Sequence, residues 1–137
     1  MTWRSIGQSL LERPCCKRCS LDMARILIID TQPALRHSLV SLLEQAGHNA
    51  TAVATIAEAA SILAVDVPDL LATDVVLIDG SSTSLAKQAD AAGVKTLMMT
   101  GNPDRIVKFD RSGQPYLSKP FPPEAFLQRV DKILSTS

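Results

Sequence analysis

Short runs of branched apolar residues alternate along the chain with longer stretches of helical periodicity, and this alternation restricts the fold more than any other feature. The first run, 25–29, reads Arg-Ile-Leu-Ile-Ile, a pattern typical of a strand buried on both faces. Pro33 then suits the first turn of a helix, and Gly47 suits its C-terminal end. The alternation predicts an α/β fold, in which helices cover both faces of a parallel sheet.

The pattern predicts five strands and five helices. We expect strands over residues 25–29, 49–54, 70–73, 95–99 and 115–118. We expect helices over residues 33–46, 81–92, 103–112 and 122–134. A further helix should follow the Thr-x-x-Glu capping sequence at Thr55, with these residues inward: Ile56, Ala59, Ala60 and Leu63. Right-handed crossovers leave few topologies, and we expect the strand order 2-1-3-4-5.

The charge balance limits the functions that the domain can have. The 137 residues contain 14 Lys plus Arg and 14 Asp plus Glu, so the formal net charge is zero. Proteins that bind nucleic acid through a basic surface have a clear positive excess, which argues against that function. No stretch of the sequence approaches the roughly 18–20 apolar residues of a membrane-spanning helix, so we expect no membrane insertion.

The first 22 residues differ in composition from the rest of the chain. Their four basic and two acidic side chains give +2, which leaves −2 for the remainder. Pro14 interrupts the segment, and charged residues stand where a signal peptide has its apolar core. The three cysteines, Cys15, Cys16 and Cys19, are one ligand short of a closed zinc site. We therefore predict an extension outside the fold over residues 1–22 and one folded domain over residues 23–137.

Four polar residues of complementary chemistry follow four of the predicted strands. Asp30 follows the first strand, Asp74 the third, Thr100 the fourth and Lys119 the fifth. In open α/β sheets, ligands bind beyond the carboxyl ends of the strands. Two acids, a hydroxyl and an amine should therefore meet at one rim of the sheet.

This set of groups suits phosphoryl chemistry. A carboxylate can attack phosphorus and become an aspartyl phosphate, which makes Asp74, at the centre of the sheet, the predicted nucleophile. Acidic oxygens hold Mg²⁺, which neutralises charge on the transferring group, so Asp30 is a predicted metal ligand. Lys119 and Thr100 can bind the phosphoryl oxygens.

Residues 24–135 resemble a response-regulator receiver domain of bacterial two-component signalling, which has a flavodoxin-like fold. The resemblance lies in ILIIDTQPALRHSLVSLLEQAGH, PDLLATDVVLIDG, TLMMTGN and YLSKPFPPEAFLQRV. It implies that Asp74 accepts a phosphoryl group from a histidine kinase or phosphotransfer protein. It also implies that the switch residues are Thr100 and Tyr116, that Lys119 precedes the family proline at Pro120, and that Mg²⁺ is bound by Asp30, Asp74 and the backbone carbonyl of Val76.

Thr31 departs from the family pattern, which has two adjacent acids after the first strand. A neutral hydroxyl is a weak ligand for Mg²⁺, so this position lacks a full negative charge. Two interpretations follow: phosphorylation with weak Mg²⁺ affinity, or a degenerate pseudo-receiver that binds partners without phosphorylation. We interpret Asp79 as a turn residue and not as a substitute ligand, and Ile78 replaces a common family proline.

The resemblance also implies the cellular context. We expect a stand-alone cytoplasmic receiver that signals by protein contact and is not an enzyme, beyond Mg²⁺-assisted self-phosphorylation and dephosphorylation. The fourth helix, fifth strand and fifth helix form the usual partner face and a candidate homodimer surface. A nucleotide-binding enzyme is disfavoured, because no GxGxxG or GxxxxGK[ST] sequence occurs. We expect solvent exposure at His37, no partner at His48, and packing roles for Phe109 and Phe121.

Overall fold

A computed structural model describes residues 24–135. The central sheet contains five strands. Four helices and a small hairpin lie in the connections between them, and a fifth helix follows the last strand. The strands are β1 (Arg25–Ile29), β2 (Asn49–Val53), β3 (Leu70–Asp74), β6 (Lys95–Thr100) and β7 (Tyr116–Ser118), and the hairpin is β4 (Val76–Leu77) with β5 (Gly80–Ser81). The helices are α1 (Pro33–Gln45), α2 (Ile56–Val65), α3 (Thr83–Ala91), α4 (Pro103–Ser112) and α5 (Pro123–Ser135).

The five strands of the central sheet are parallel and run in the order β2-β1-β3-β6-β7. The predicted order is confirmed, since β6 and β7 are the fourth and fifth strands of the main sheet. β1 pairs with β3 up to Ile29 opposite Thr73, and β6 continues alongside β3 to Met99 opposite Asp74. Asp74 therefore ends the central strand one residue beyond its pairing with β1.

Each strand buries side chains on both faces of the sheet. Ile26 and Ile28 pack into the core with α1 and α5, where Phe126 is fully buried. Leu27 and Ile29 point to the opposite face and pack with residues of α2 and α3. The continuous apolar run at 25–29 thus reflects a strand between two hydrophobic layers, as the sequence predicts.

Capping side chains and a glycine determine where two of the helices begin or end. Thr55 caps α2, because its hydroxyl accepts a hydrogen bond from the Glu58 amide at 3.2 Å. Asn102 caps α4 by accepting from the Asp104 amide, and Gly113 ends that helix in the left-handed conformation with φ of 78°. These three boundaries agree with the sequence prediction.

Three expectations about local structure are wrong. The third helix begins at Thr83 and not at Ser81, because residues 76–81 form the hairpin, where Gly80 has φ of 130°. Ala60 is exposed, whereas the other three residues predicted to face inward, Ile56, Ala59 and Leu63, pack into the core. His48 is buried and has partners: its Nδ1 accepts from the Ala24 amide at 3.3 Å, and its Nε2 lies 3.4 Å from Asp131 Oδ1 on α5.

Two further side chains, His37 and Phe121, lie where the sequence predicts them. His37 is exposed, and Phe121 packs against Phe126 with ring centroids 6.1 Å apart. Within residues 24–135, none of the helices is both long and apolar enough to cross a membrane. The predictions for residues 1–22, including the cysteine cluster, lie outside the described residues.

Candidate functional site

Asp30 lies directly after β1 and is completely buried. Its Oδ1 accepts a hydrogen bond from the Gln32 amide at 2.8 Å, which is the local geometry that aspartate favours in a turn. The guanidinium of Arg36, one turn into α1, donates to the Asp30 backbone carbonyl at 2.6 Å. Backbone and carboxylate are therefore both fixed where the chain leaves the sheet.

Lys119 joins the two predicted acids. Its Nζ lies 2.8 Å from Asp30 Oδ2 and 2.6 Å from Asp74 Oδ1. The Asp74 side chain is 9% exposed and the Lys119 side chain is 22% exposed, so both ion pairs are largely shielded from water. Three groups that are distant in sequence thus form one triad with a net charge of −1. We call Asp30, Asp74 and Lys119 the rim triad.

Burial and charge act in opposite directions on the rim triad. Desolvation raises the pKa of Asp74, and the negative charge of Asp30 adds to that effect, while the hydrogen bond from Lys119 opposes it. The net direction is upward. Burial alone would lower the pKa of Lys119, but hydrogen bonds from its ammonium to both carboxylates outweigh burial and raise it. Lys119 is therefore a permanent cation at neutral pH.

Thr100 is buried beside the rim triad and is connected to it through the backbone. The Lys119 amide donates to the Thr100 carbonyl at 2.9 Å. The Thr100 hydroxyl accepts a hydrogen bond from the Asn102 amide at 3.1 Å, and this bond stabilises the turn before α4. The structure places Thr100 next to the site without bringing its hydroxyl onto a carboxylate.

Tyr116 lies on the outer strand β7 and faces α4. Its ring centroid is 6.0 Å from that of Phe109, and its hydroxyl bonds to Asp110, which raises the pKa of the phenol. Phe109 thus has the packing role predicted for it. The two aromatic rings belong to the α4–β7–α5 face and not to the rim triad.

Thr31 and Val76 are the two remaining predicted metal ligands, and the contacts that they make here are formed by their backbones. Thr31 is exposed, and its backbone amide bonds to the Asp74 carboxylate and lowers the pKa of that group. Val76 begins the β4–β5 hairpin, where it pairs with Ser81. Its side chain is turned outward and is 65% exposed.

Asp79 is a turn residue, as expected, and its side chain also binds the N terminus of α2. It lies in the turn of the hairpin, and its two carboxylate oxygens accept from the Ile56 amide at 3.0 Å and the Ala57 amide at 3.1 Å. These bonds at the N terminus of α2 lower the pKa of Asp79. Asp79 therefore attaches the loop after Asp74 to the neighbouring helix.

Two hydroxyl groups that the sequence analysis missed bind the backbone of Asp74. Ser82 Oγ donates to the Asp74 carbonyl at 2.6 Å, and Thr73 Oγ1 donates to the same oxygen at 2.8 Å. Both side chains are completely buried. Serine before a helix usually indicates an N-cap, and no local pattern indicates a bond to a residue eight positions earlier.

The rim triad can accommodate Mg²⁺, although its ligand set is small. Among the described residues, no three His, Cys, Asp or Glu side chains form a metal-binding group. Mg²⁺ commonly keeps several waters and binds one or two carboxylates together with phosphate oxygens. Asp30 and Asp74 supply two such carboxylates, so the donor chemistry fits the ion, and the net charge of −1 predicts weak binding.

The sheet topology and the acids at its carboxyl rim define a doubly wound α/β domain of the receiver type. The model of the response regulator receiver domain family matches residues 26–131, which is most of the chain. The protein therefore belongs to this family, as its sequence motifs indicate.

Similar proteins agree with this assignment. Protein PilH of Pseudomonas aeruginosa is 25% identical over 120 residues, which cover 82% of this chain and 99% of PilH. The transcriptional regulator RpaA of Synechocystis is 33% identical over 119 residues, but this chain spans only 49% of RpaA. A two-component response regulator from Clostridium difficile has a TM-score of 0.73 at 26% identity, covering 83% of this chain and 98% of that one. The receiver domain of HemR from Leptospira biflexa has a TM-score of 0.74 at 25% identity, covering 83% and 96%.

Proposed function

We propose that this protein accepts a phosphoryl group on Asp74 from a histidine kinase or histidine phosphotransfer protein and signals by contact with another protein. The observation that supports this most strongly is the rim triad, in which Lys119 lies within hydrogen-bond distance of both Asp30 and Asp74. An ammonium held at this position can bind the oxygens of an incoming phosphoryl group while a carboxylate attacks phosphorus.

The proposed step forms one bond and breaks one. A carboxylate oxygen of Asp74 forms a bond to phosphorus, the bond from phosphorus to the donor histidine nitrogen breaks, and the electron pair stays on that nitrogen. The attacking group must be ionised; burial raises the pKa of Asp74, and the hydrogen bond and positive charge of Lys119 favour its ionised form. Mg²⁺, when bound by Asp30 and Asp74, neutralises charge on the phosphoryl oxygens.

In this proposal the chain acts in the cytoplasm. The surface that contacts the downstream protein is the α4–β7–α5 face. A groove of about 330 Å³ lies on this face, and Phe109, Tyr116, Arg129, Lys132 and Ile133 are among its lining residues. Phe, Tyr and Arg side chains are enriched at protein interfaces, which favours a protein partner for this groove. A homodimer through the same face is the alternative occupant. The only chemistry proposed for the chain itself is Mg²⁺-assisted gain and loss of the phosphoryl group.

Incubation with acetyl phosphate and Mg²⁺, followed by intact mass spectrometry, tests the proposal without an identified kinase. We expect one added phosphoryl group on the wild type and none on Asp74→Asn. Asp79→Asn is a matched control, because it removes a nearby charge outside the rim triad, and it should still be modified. An unmodified wild type at high Mg²⁺ would contradict the proposal.

A second function is favoured by one observation: Thr31 occupies the position where a receiver has its second acid, and the rim triad has a net charge of −1. The alternative is a pseudo-receiver that binds its partner in one fixed state. Thr31→Asp should then raise Mg²⁺ affinity sharply and restore phosphorylation. If the wild type already binds Mg²⁺ as well as Thr31→Asp does, the basis for this alternative is lost.

A further inference from the structure

The Asp74 backbone lies at the end of the central strand, where its pairing with the neighbouring strands is incomplete. β1 ends opposite Thr73, so it supplies no residue to pair with Asp74 on that side. On the other side the Val75 amide donates to the Met99 carbonyl of β6 at 3.3 Å. The Asp74 carbonyl is instead bound by the hydroxyls of Ser82 and Thr73. A buried carbonyl needs such a partner, because burial without one costs free energy.

Ser82 makes a second contact with the same segment. Its amide donates to the Val75 carbonyl at 2.8 Å, and its own carbonyl accepts from Ala86 in the first turn of α3. Residues 75–81 therefore form an excursion whose two ends are joined at Asp74 and Ser82. Because Ser82 is completely buried, the hydroxyl and its acceptor do not exchange their bond for one with bulk water.

We propose, on the basis of the phosphoacceptor function above, that Ser82 is a positioning residue for the Asp74 nucleophile. Its hydroxyl fixes the Asp74 peptide relative to α3, and so fixes the direction from which the carboxylate meets Lys119 and an incoming phosphoryl group. Thr73 supports the same carbonyl from within β3. Small errors in the placement of a reacting group reduce the rate of reaction strongly, which gives this contact its effect.

Ser82→Ala removes the shorter of the two hydrogen bonds and leaves the rim triad intact. The saturating rate of phosphorylation by acetyl phosphate should fall by about three- to tenfold, the range expected for loss of one hydrogen bond. The Mg²⁺ concentration for half-maximal rate should stay unchanged, because Asp30 and the charge of Asp74 are retained. Ser81→Ala removes an exposed hydroxyl one residue away, which contacts Thr83, and should react like the wild type.

A double-mutant cycle separates positioning from a general loss of stability. With either Ser82 or Thr73 present, the Asp74 carbonyl retains one donor, whereas Ser82→Ala combined with Thr73→Val leaves it without either. The rate loss of the double variant should therefore exceed the product of the two single losses. Ser82→Thr restores a hydroxyl and should recover most of the rate. All rates are measured at a temperature at which thermal melts show each variant folded.

Beryllofluoride supplies a readout that does not depend on phosphoryl transfer. This anion bonds to a carboxylate oxygen in the shape of a phosphoryl group, and fluorine NMR counts the bound fraction. At fixed Mg²⁺, Ser82→Ala should bind it about three- to tenfold more weakly than the wild type or Ser81→Ala. Equal rates and equal beryllofluoride affinity in Ser82→Ala and wild type would overturn the inference while leaving the proposed function intact.

The phosphoacceptor function can also fail while the positioning role of Ser82 stands. If the wild type gains no phosphoryl group but binds beryllofluoride, and Ser82→Ala weakens that binding, the positioning role stands and the proposed function falls. If the wild type shows neither reaction nor binding, both are overturned. A loss of rate in Ser82→Ala that is not recovered in Ser82→Thr, with both variants folded, also contradicts the role of the hydroxyl.

Discussion

Replacement of Lys119 by methionine tests the electrostatics of the rim triad, because it removes the cation between two buried carboxylates and keeps a side chain of similar length. The Nζ atom lies 2.6 Å from Asp74 and 2.8 Å from Asp30. Even with water-like screening, Coulomb's law gives about 1.5 kcal/mol of attraction for each pair, or about 3 kcal/mol together. Since Lys119 is partly exposed, we expect Lys119→Met to lower the free energy of unfolding by about 2–4 kcal/mol at neutral pH.

This loss of stability should depend on pH. Without Lys119, the pKa of Asp74 rises further above its ordinary value, since burial and the Asp30 charge both raise it. A carboxyl group with a raised folded-state pKa destabilises the fold above that pKa and ceases to do so as the pH falls through it. The difference in stability between Lys119→Met and wild type should therefore shrink on acidification.

Mg²⁺ should partly replace the lost ammonium. The two carboxylates of Lys119→Met have a net charge of −2 instead of −1, so added Mg²⁺ should bind more tightly and stabilise the variant more than the wild type. The assay is urea unfolding at neutral and mildly acidic pH, with and without Mg²⁺. Lys108→Met, an exposed lysine of α4, is the control. If Lys119→Met matches that control at both pH values and gains nothing from Mg²⁺, Lys119 does not stabilise the two carboxylates of the rim triad.

Three further predictions concern groups around the site. Asp79→Ala should lower the melting temperature at neutral pH, and the difference from wild type should vanish in acid, because a carboxylate with a depressed pKa stabilises the fold only above that pKa. Asn102→Ala should cost about 1 kcal/mol in urea unfolding through loss of the α4 cap, and an unchanged midpoint would contradict the cap. Asp110→Asn should lower the pKa of Tyr116, the single tyrosine, in an ultraviolet titration; an unchanged pKa would contradict their contact.

The sequence is most informative where local chemistry decides the structure. The apolar run at 25–29 indicates a doubly buried strand, and Thr55, Asn102 and Gly113 mark helix ends, because each of these signals acts within one turn of the chain. The placement of Asp30, Asp74 and Lys119 at strand ends is also enough to predict their convergence, since parallel strands end at one rim.

Other contacts depend on distant partners that no local pattern specifies. The β4–β5 hairpin is two residues long on each side, so it leaves no period in the sequence. The bonds from Ser82 to Asp74 and from Asp79 to α2 depend on how that hairpin folds back. His48 and Asp131 are 83 positions apart in the chain, and they come into contact because α1 and α5 pack side by side. Tertiary packing decides these positions.

Chemical mapping tests most directly that Asp74 is the residue that is modified. Protein treated with acetyl phosphate and Mg²⁺ is reduced with borohydride, which converts an aspartyl phosphate to the alcohol and releases phosphate, and peptides are then sequenced by mass spectrometry. We expect reduction at Asp74 and at no other carboxylate in or near the rim triad. Reduction at Asp30 or Asp79, or an unreduced protein, would contradict it.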